Sequence, residues 1–252
     1  MMATERLVEH SLNTDDITVD GNVFDSKGFV ESELSIMSYN MHGYKQGTIL
    51  LKHIINSVPV DIIMLQEHWL TPQNLVKFEN DFTDYYSFGS SALGESVEAG
   101  PLVGRPFGGM MTLIRNELVS VCECICASER LVVVKVGDVV CVNVYLPCVG
   151  TADRELILKE ILDYVWCWRC DYSDCSFIVG GDFNVDLDLP SPASVGAANI
   201  IKAFLSDNNF SRCDHLFVPS VKFTYVNESL NHSSKLDYFV CNDVNIKSFE
   251  IL

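Results

Sequence analysis

The sequence predicts a layered α/β domain. Three observations carry this. Short apolar or alternating runs of strand length recur along the chain. Amphipathic helical stripes fall between some of them, which implies helices packed on a sheet. Other runs follow one another across short turns, which implies antiparallel pairs in the same fold.

Taken in order, residues 1–33 are polar and acidic without a sustained period. They read as a disordered or loosely attached tail. The domain is therefore expected at residues 34–252, as one unit, since no linker or internal repeat follows. LSIMSYN (34–40) alternates like a strand. TILLKHIINSV (48–58) sets Ile49, Leu50, His53, Ile54 and Ser57 at helical spacing and ends before Pro59. DIIMLQE (61–67) suits a buried strand, and residues 89–109 form a Gly- and Ser-rich loop. MMTLIR (110–115), LVVVKV (131–136) and VVCVNVYLP (139–147) read as strands. Asp153 to Trp166 carries Leu156, Ile157, Glu160, Ile161, Tyr164 and Val165 in a helical stripe. SFIVGGD (176–182) is the next strand, NIIKAFLSDN (199–208) is helical, and KFTYV (222–226) and KLDYFVCN (235–242) are strands.

Composition narrows the function classes. The 252 residues carry 34 acidic against 17 basic side chains, a net charge of −17. That excludes a generic basic nucleic-acid binder held by counterion release. It leaves room for an enzyme that meets a phosphate through a bound cation. No run reaches the ~18 apolar residues of a membrane span, and the N-terminus lacks a secretory apolar core, so an intracellular location is expected. The 10 cysteines then read as reduced thiols. CECIC (122–126) would place three of them on one strand face, and CWRC (167–170) has no second pair to complete a zinc site.

Four strands end in polar clusters: Asn40 and His42; Gln66, Glu67 and His68; Asn143 and Tyr145; Asp182 and Asn184. Ligands of α/β sheets gather at strand ends. Carboxylates and amides brought together there suit a hard cation such as Mg²⁺, and with it phosphoester cleavage in which Asp182 orients or deprotonates water. Singly, each has a plainer reading. Asp182 and Asn184 after two glycines also describe a turn. A carboxylate such as Glu67 or Asp237 within an apolar strand needs a partner whatever it does. Gly180 and Gly181 are expected to let backbone and phosphate approach closely.

The motifs SYNMHG, LQEHWL, RPFGGMMTLIR, VNVYLP, GGDFNVD and KLDYFV stand in the order found in the endonuclease/exonuclease/phosphatase superfamily, which residues 34–252 resemble. The wording LQEHWL, GRPFGG and YLPC is most similar to the endonuclease module of LINE-type (non-LTR) retrotransposons. The resemblance implies a DNase I-like four-layer α/β sandwich, two mixed sheets face to face with helices outside. It implies that Asn40 and Glu67 hold Mg²⁺ (or Mn²⁺), that Tyr145 contacts the scissile phosphate, and that Asp182 and Asn184 serve the water and the phosphate. Asp237 would stand where a carboxylate supports a catalytic histidine, and His42, Asn143, Thr224 and Tyr225 would face the substrate. The implied activity is a DNA-nicking phosphodiesterase, nuclear if DNA is its substrate. The alternatives are an RNA exonuclease, deadenylase or small-molecule phosphatase of the same fold, or an inactive remnant. Three departures stand out. The relatives' Ser-Asp-His loop and last strand do not follow KLDYFV before Leu252, so an open sheet edge is expected. His42 stands where apurinic endonucleases carry an acid, and Cys148 where they carry an amide. Lys45, Lys52, Arg105, Arg115 and Arg130 are the cations expected nearest the substrate side.

Overall fold

The computed structural model describes residues 14–25, 28–94, 107–217, 221–227 and 232–251. The first sheet is built from β1 (Thr14–Asp25), β2 (Gly28–Asn40), β3 (Ile62–Gln66), β4 (Tyr85–Ser90), β5 (Met110–Arg115) and β14 (Ile246–Ile251), in the order β14-β1-β2-β3-β5-β4. The second holds β6 (Cys122–Ala127), β7 (Leu131–Val136), β8 (Val139–Tyr145), β9 (Ser176–Asp182), β10 (Ser211–Arg212) and β13 (Asp237–Asn242), in the order β10-β13-β9-β8-β7-β6. A small hairpin, β11 (Tyr225–Asn227) with β12 (His232–Ser234), stands apart.

The two sheets meet across a shared apolar layer. Ile36, Ile62, Met64 and Ile114 from one face Val134, Cys141, Ile178 and Phe239 from the other. The outer face of the first sheet is covered by α1 (Tyr44–Ser57) and α2 (Lys77–Asp81); Leu51, Ile54 and Phe78 of these helices and Phe82 just after α2 pack on Met37, Ile63 and Leu113. The second is covered by α3 (Arg154–Asp171) and α4 (Val195–Asp207) through Leu158, Ile161, Val165, Ala198 and Ile201. The result is the four-layer α/β sandwich. It explains why β3 is buried at every position and β8 at all but its last, since strands covered on both faces read as continuous apolar runs.

Two parallel pairs set the position of the site. β2 pairs in parallel with β3, and β8 with β9. Each parallel pair needs a crossover, supplied by α1 and α3. The C-terminal ends of these four strands therefore share one rim. Tyr145 lies opposite Asp182, and antiparallel β13 brings Asp237 opposite Asp182 from the other side.

Several expectations change. Within the span read as a tail, Thr14–Asp25 forms β1 and Gly28 begins β2; residues 1–13 lie outside those described. A further strand, β14, does follow KLDYFV, contrary to the expected loss of the last strand; it pairs with β1 and forms the edge of the first sheet. Ile17, Val19 and Val23 do alternate in β1, but the acidic and polar residues around them mask the strand signal. Helix α1 begins four residues early and buries Tyr44, Gly47, Thr48, Leu51 and Ile54; Ile49 is 74% exposed. In α3, Leu158 and Leu162 join Ile161 and Val165 in the buried stripe, whereas Leu156 and Tyr164 face out. A register shift between Cys124 and Cys126 breaks the single face expected of CECIC.

Gly180 and Gly181 serve the sheets. A Cβ at Gly180 would overlap the Phe239 ring edge, and one at Gly181 (φ 137°) the Val144 carbonyl. They are small because the core closes on them, not to admit a phosphate.

Candidate active site

Asn40 is the hub of the rim. Its Nδ2 donates to Glu67 Oε1 at 3.2 Å and to Asp182 Oδ2 at 3.0 Å, joining carboxylates from different sheets. Its Oδ1 accepts the His42 N–H at 3.0 Å. The carbonyl end expected to ligate a metal is thus turned to the backbone, and the amide separates two acids that would otherwise repel.

Glu67 follows β3 in a left-handed conformation (φ 55°), as does Trp69 (φ 58°). Non-glycine residues seldom adopt it, so neighbouring structure must hold them there. The carbonyls of Gln66, Glu67 and His68 accept from the N–H groups of Met41, Gly43 and Tyr44, which stitches this loop to the one after β2. The Glu67 carboxylate receives three donors: Asn40, the Tyr145 hydroxyl at 3.0 Å on Oε1, and the Trp69 indole N–H at 3.1 Å on Oε2.

Asp182 is buried at the end of β9. Burial and then neighbouring Asp237 push its pKa up, with Glu67 adding to the effect; the Asn184 N–H and Asn40 oppose it. Its Oδ1 accepts that N–H at 2.8 Å, closing a turn in which Asn184 is left-handed (φ 53°) and its Nδ2 donates to Leu146 O at 2.9 Å. The turn reading and the functional reading of Asp182-x-Asn184 are therefore both realised. Tyr145 is half-buried, and burial followed by the charges of Glu67 and Asp182 raises its pKa, so the phenol stays protonated and acts as a donor.

Not every expected residue reaches the cleft. Asn143 is fully buried between the sheets, where its Nδ2 donates to Leu65 O, Met111 O and Thr112 Oγ1, and its Oδ1 accepts from Gln66. Side chains alternate along a strand, and Asn143 points the same way as Tyr145 but one pleat deeper. Thr224, expected at the rim, is also fully buried, its hydroxyl accepting the N–H groups of Leu236 and Asp237 at 2.9 and 3.0 Å. It anchors the start of β13. Tyr225 is partly exposed on β11, and His42 is exposed with its ring 5.0 Å from that of Trp69. His68 is structural: buried, its Nδ1 accepts the Leu70 N–H, which leaves Nε2 to donate to Ser90 O, and burial lowers its pKa to about 4. Of the expected cations, Lys52 pairs with Asp81 and Arg115 with Asp61. Arg130 stands 5.8 Å above the Tyr145 ring, and Arg105 lies outside the described residues.

One residue was missed. Arg154 opens α3 and donates to Pro147 O (2.8 Å), Asn184 O (3.0 Å) and Ser194 Oγ (3.2 Å), which ties the loops after β8 and β9 together. A cation in the first turn of a helix opposes the helix dipole, and that was the available signal.

The oxygens at the rim fit a hard divalent cation, because Glu67 and Asp182 present carboxylates around a single amide. A second acidic group, Asp188, Asp214 and His215, has a different balance. Arg212 bonds both oxygens of Asp188 (2.7 and 2.8 Å) and of Asp214 (3.0 and 2.6 Å), and Lys235 adds 2.7 Å to Asp214. Two cations already neutralise the two carboxylates, and hydrogen bonding from Arg212 holds Asp188 down at about 2. This cluster is an ion-pair network joining β9's loop to β10 and β13. Among the described residues, no helix is long and apolar enough to cross a membrane.

Comparison with known proteins gives the family and the fold. The sequence profile of the Endonuclease/Exonuclease/phosphatase family matches residues 37–251. No curated protein matches the sequence. Among solved structures, the AP endonuclease LMAP of Leishmania major superposes with a TM-score of 0.64 at 15% identity, over 82% of this chain and 78% of that one. The 3′ phosphatase NExo of Neisseria, bound to product DNA hairpin, gives 0.62 at 13% identity over 82% and 86%. The endonuclease domain of TRAS1, a telomere-specific non-LTR retrotransposon, gives 0.57 at 13% identity over 82% and 84%.

Proposed function

Because the chain belongs to the Endonuclease/Exonuclease/phosphatase family, we propose that its rim is the active site of a divalent-metal-dependent phosphodiesterase that nicks DNA. The observation that carries this reading is the link from Glu67 through Asn40 to Asp182, residues 27 and 142 positions from Asn40 that meet within hydrogen-bond distance. Glu67 and Asp182 would hold Mg²⁺ or Mn²⁺, and such an ion supplies Lewis-acid polarisation of a phosphoryl oxygen. Asp182 takes the proton of the attacking water. Tyr145, held protonated, would turn its one O–H from Glu67 Oε1 to a phosphoryl oxygen when substrate binds. Asn184 fixes the Asp182 carboxylate through its N–H. Asp237 lies beside Asp182 and helps keep its proton affinity high.

The wording of the motifs around Glu67 and Tyr145 favours an origin in a non-LTR retrotransposon. A second reading, hydrolysis of 3′-phosphate ends or of RNA, draws support from the net charge of −17, which suits a small or single-stranded substrate better than a long duplex. The two separate in one assay. Supercoiled plasmid, 3′-phosphorylated oligonucleotide, poly(A) RNA and inositol phosphates are incubated with the protein and Mg²⁺, with EDTA and Glu67→Gln controls. DNA nicking predicts relaxed plasmid that both controls abolish. Intact plasmid beside turnover of another substrate replaces the first reading with the second. No turnover of any substrate ends both and leaves the inactive remnant.

A further inference from the structure

Trp69 is placed with unusual care for a half-buried aromatic residue. Its backbone is left-handed, and its N–H donates to Gly108 O at 2.9 Å. Its ring lies over Gly43, where a Cβ would come within 2.6 Å of Cε3, so only glycine leaves room for it. The His42 ring stands 5.0 Å away at 57°, on the solvent side. All of this points one polar atom, Nε1, at Glu67 Oε2, 3.1 Å away.

A carboxylate oxygen has two lone-pair positions. On Glu67 Oε1 both are taken, by Asn40 Nδ2 at 3.2 Å and Tyr145 Oη at 3.0 Å. On Oε2 the indole takes one. We propose that Trp69 is a positioning residue for the metal: its indole N–H fixes the plane of the Glu67 carboxylate so that the second lone pair of Oε2 is the one offered to the cation. The inference rests on Glu67 being the metal ligand, as proposed above. Without the indole, the carboxylate keeps its two bonds at Oε1 and turns about them. Partners of this kind, hydrogen-bonded to a ligand, change metal affinity by about 10–100-fold when removed.

The test uses the full chain and Mn²⁺ as the probe, with affinity read by calorimetry. Trp69→Phe removes the N–H together with the indole six-membered ring over Gly43, so metal affinity and stability are read side by side. The expected result is a dissociation constant for Mn²⁺ raised about 10-fold or more at a temperature where the variant is still fully folded in EDTA, whatever its melting temperature. A lowered melting temperature with an unchanged constant would make Trp69 merely structural and overturn the inference. Glu67→Gln separates the underlying reading: if it binds Mn²⁺ as well as the unsubstituted chain, Glu67 is no ligand and both fall. A second readout does not depend on folding of the Phe variant. The chain has 3 tryptophans. With Trp166 and Trp168 replaced by Phe, saturating Mg²⁺ should still shift the remaining indole emission; a shift lost with those two residues counts against Trp69.

Discussion

Replacing Asn40 by Asp alters the chemistry of one atom at the centre of the cleft. The nitrogen that donates to Glu67 Oε1 at 3.2 Å and to Asp182 Oδ2 at 3.0 Å becomes an oxygen facing two others. The Oδ1 that accepts the His42 N–H is retained, so the local turn survives. At about 3 Å a like-charge pair costs roughly 5 kcal/mol at an effective dielectric of about 20. The folded chain avoids that cost by binding a proton. Keeping a carboxyl of ordinary pKa, about 3.9, protonated at pH 7 costs about 4 kcal/mol, and at pH 5 about 1.5 kcal/mol, and Asp182, whose pKa is already raised, holds the proton for less. Protonation is the cheaper route and sets the size of the effect. For a chain of this length each kcal/mol moves the melting temperature by roughly 2–4 °C. Asn40→Asp should therefore melt lower at pH 7 in EDTA by up to about 8–16 °C, and by less than half as much at pH 5. Saturating Mg²⁺, which neutralises the third carboxylate, should recover most of the loss. Thermal unfolding by circular dichroism reads all three conditions. A variant that melts with the unsubstituted chain, or whose deficit does not shrink in acid, would show that residue 40 does not stand between two acids.

Three further outcomes follow from the same geometry. Asp182→Asn keeps one acceptor for the Asn184 N–H but sets an NH₂ against Asn40 Nδ2, and it should lose about 100-fold or more of any Mg²⁺-dependent hydrolysis of the preferred substrate. His68 titrates near 4 when folded and near 6.5 when unfolded, so only the unfolded chain gains its proton between those values, and stability falls as pH drops through that window. Between pH 6.5 and 5 the loss is roughly 2 kcal/mol in urea titrations, and His68→Asn should lack that slope; equal slopes would place a charged imidazole in the fold. Gly180→Ala forces a methyl against Phe239 and Met64 and should cost about 1–3 kcal/mol in denaturant unfolding, whereas an alanine tolerated without loss would mean that the two sheets do not close there.

The layered architecture was legible because strand burial is written in period and run length. The continuous apolar runs of β3 and β8 required cover on both faces, and α1 and α3 supply it. The rim was legible for a related reason: polar residues ending apolar runs must leave the core, and Asn40, Glu67, Tyr145 and Asp182 do so at one place. Asn143 was misread although the rule of alternation already placed it a pleat below Tyr145. Thr224 could not be read, since its role depends on two N–H groups of β13 that are distant in sequence. Nor does sequence say which end of the Asn40 amide faces the acids; that is decided by the His42 N–H. β1 was hidden because the acidic and polar residues around Ile17, Val19 and Val23 mask their alternation. Trp69 bonds a carboxylate two residues away through a left-handed backbone that no pattern predicts, and Arg154, marked only by its place in the first turn of a helix, reaches a carbonyl 30 residues away.

The most direct test is to locate a bound cation. Crystals soaked in Mn²⁺ and measured at the manganese absorption edge should show an anomalous peak between Glu67 Oε2 and the Asp182 carboxylate, and none in crystals of Glu67→Gln. A peak instead among Asp188, Asp214 and His215, or a rim that stays empty at saturating Mn²⁺, would contradict the assignment of the rim as a metal-dependent active site.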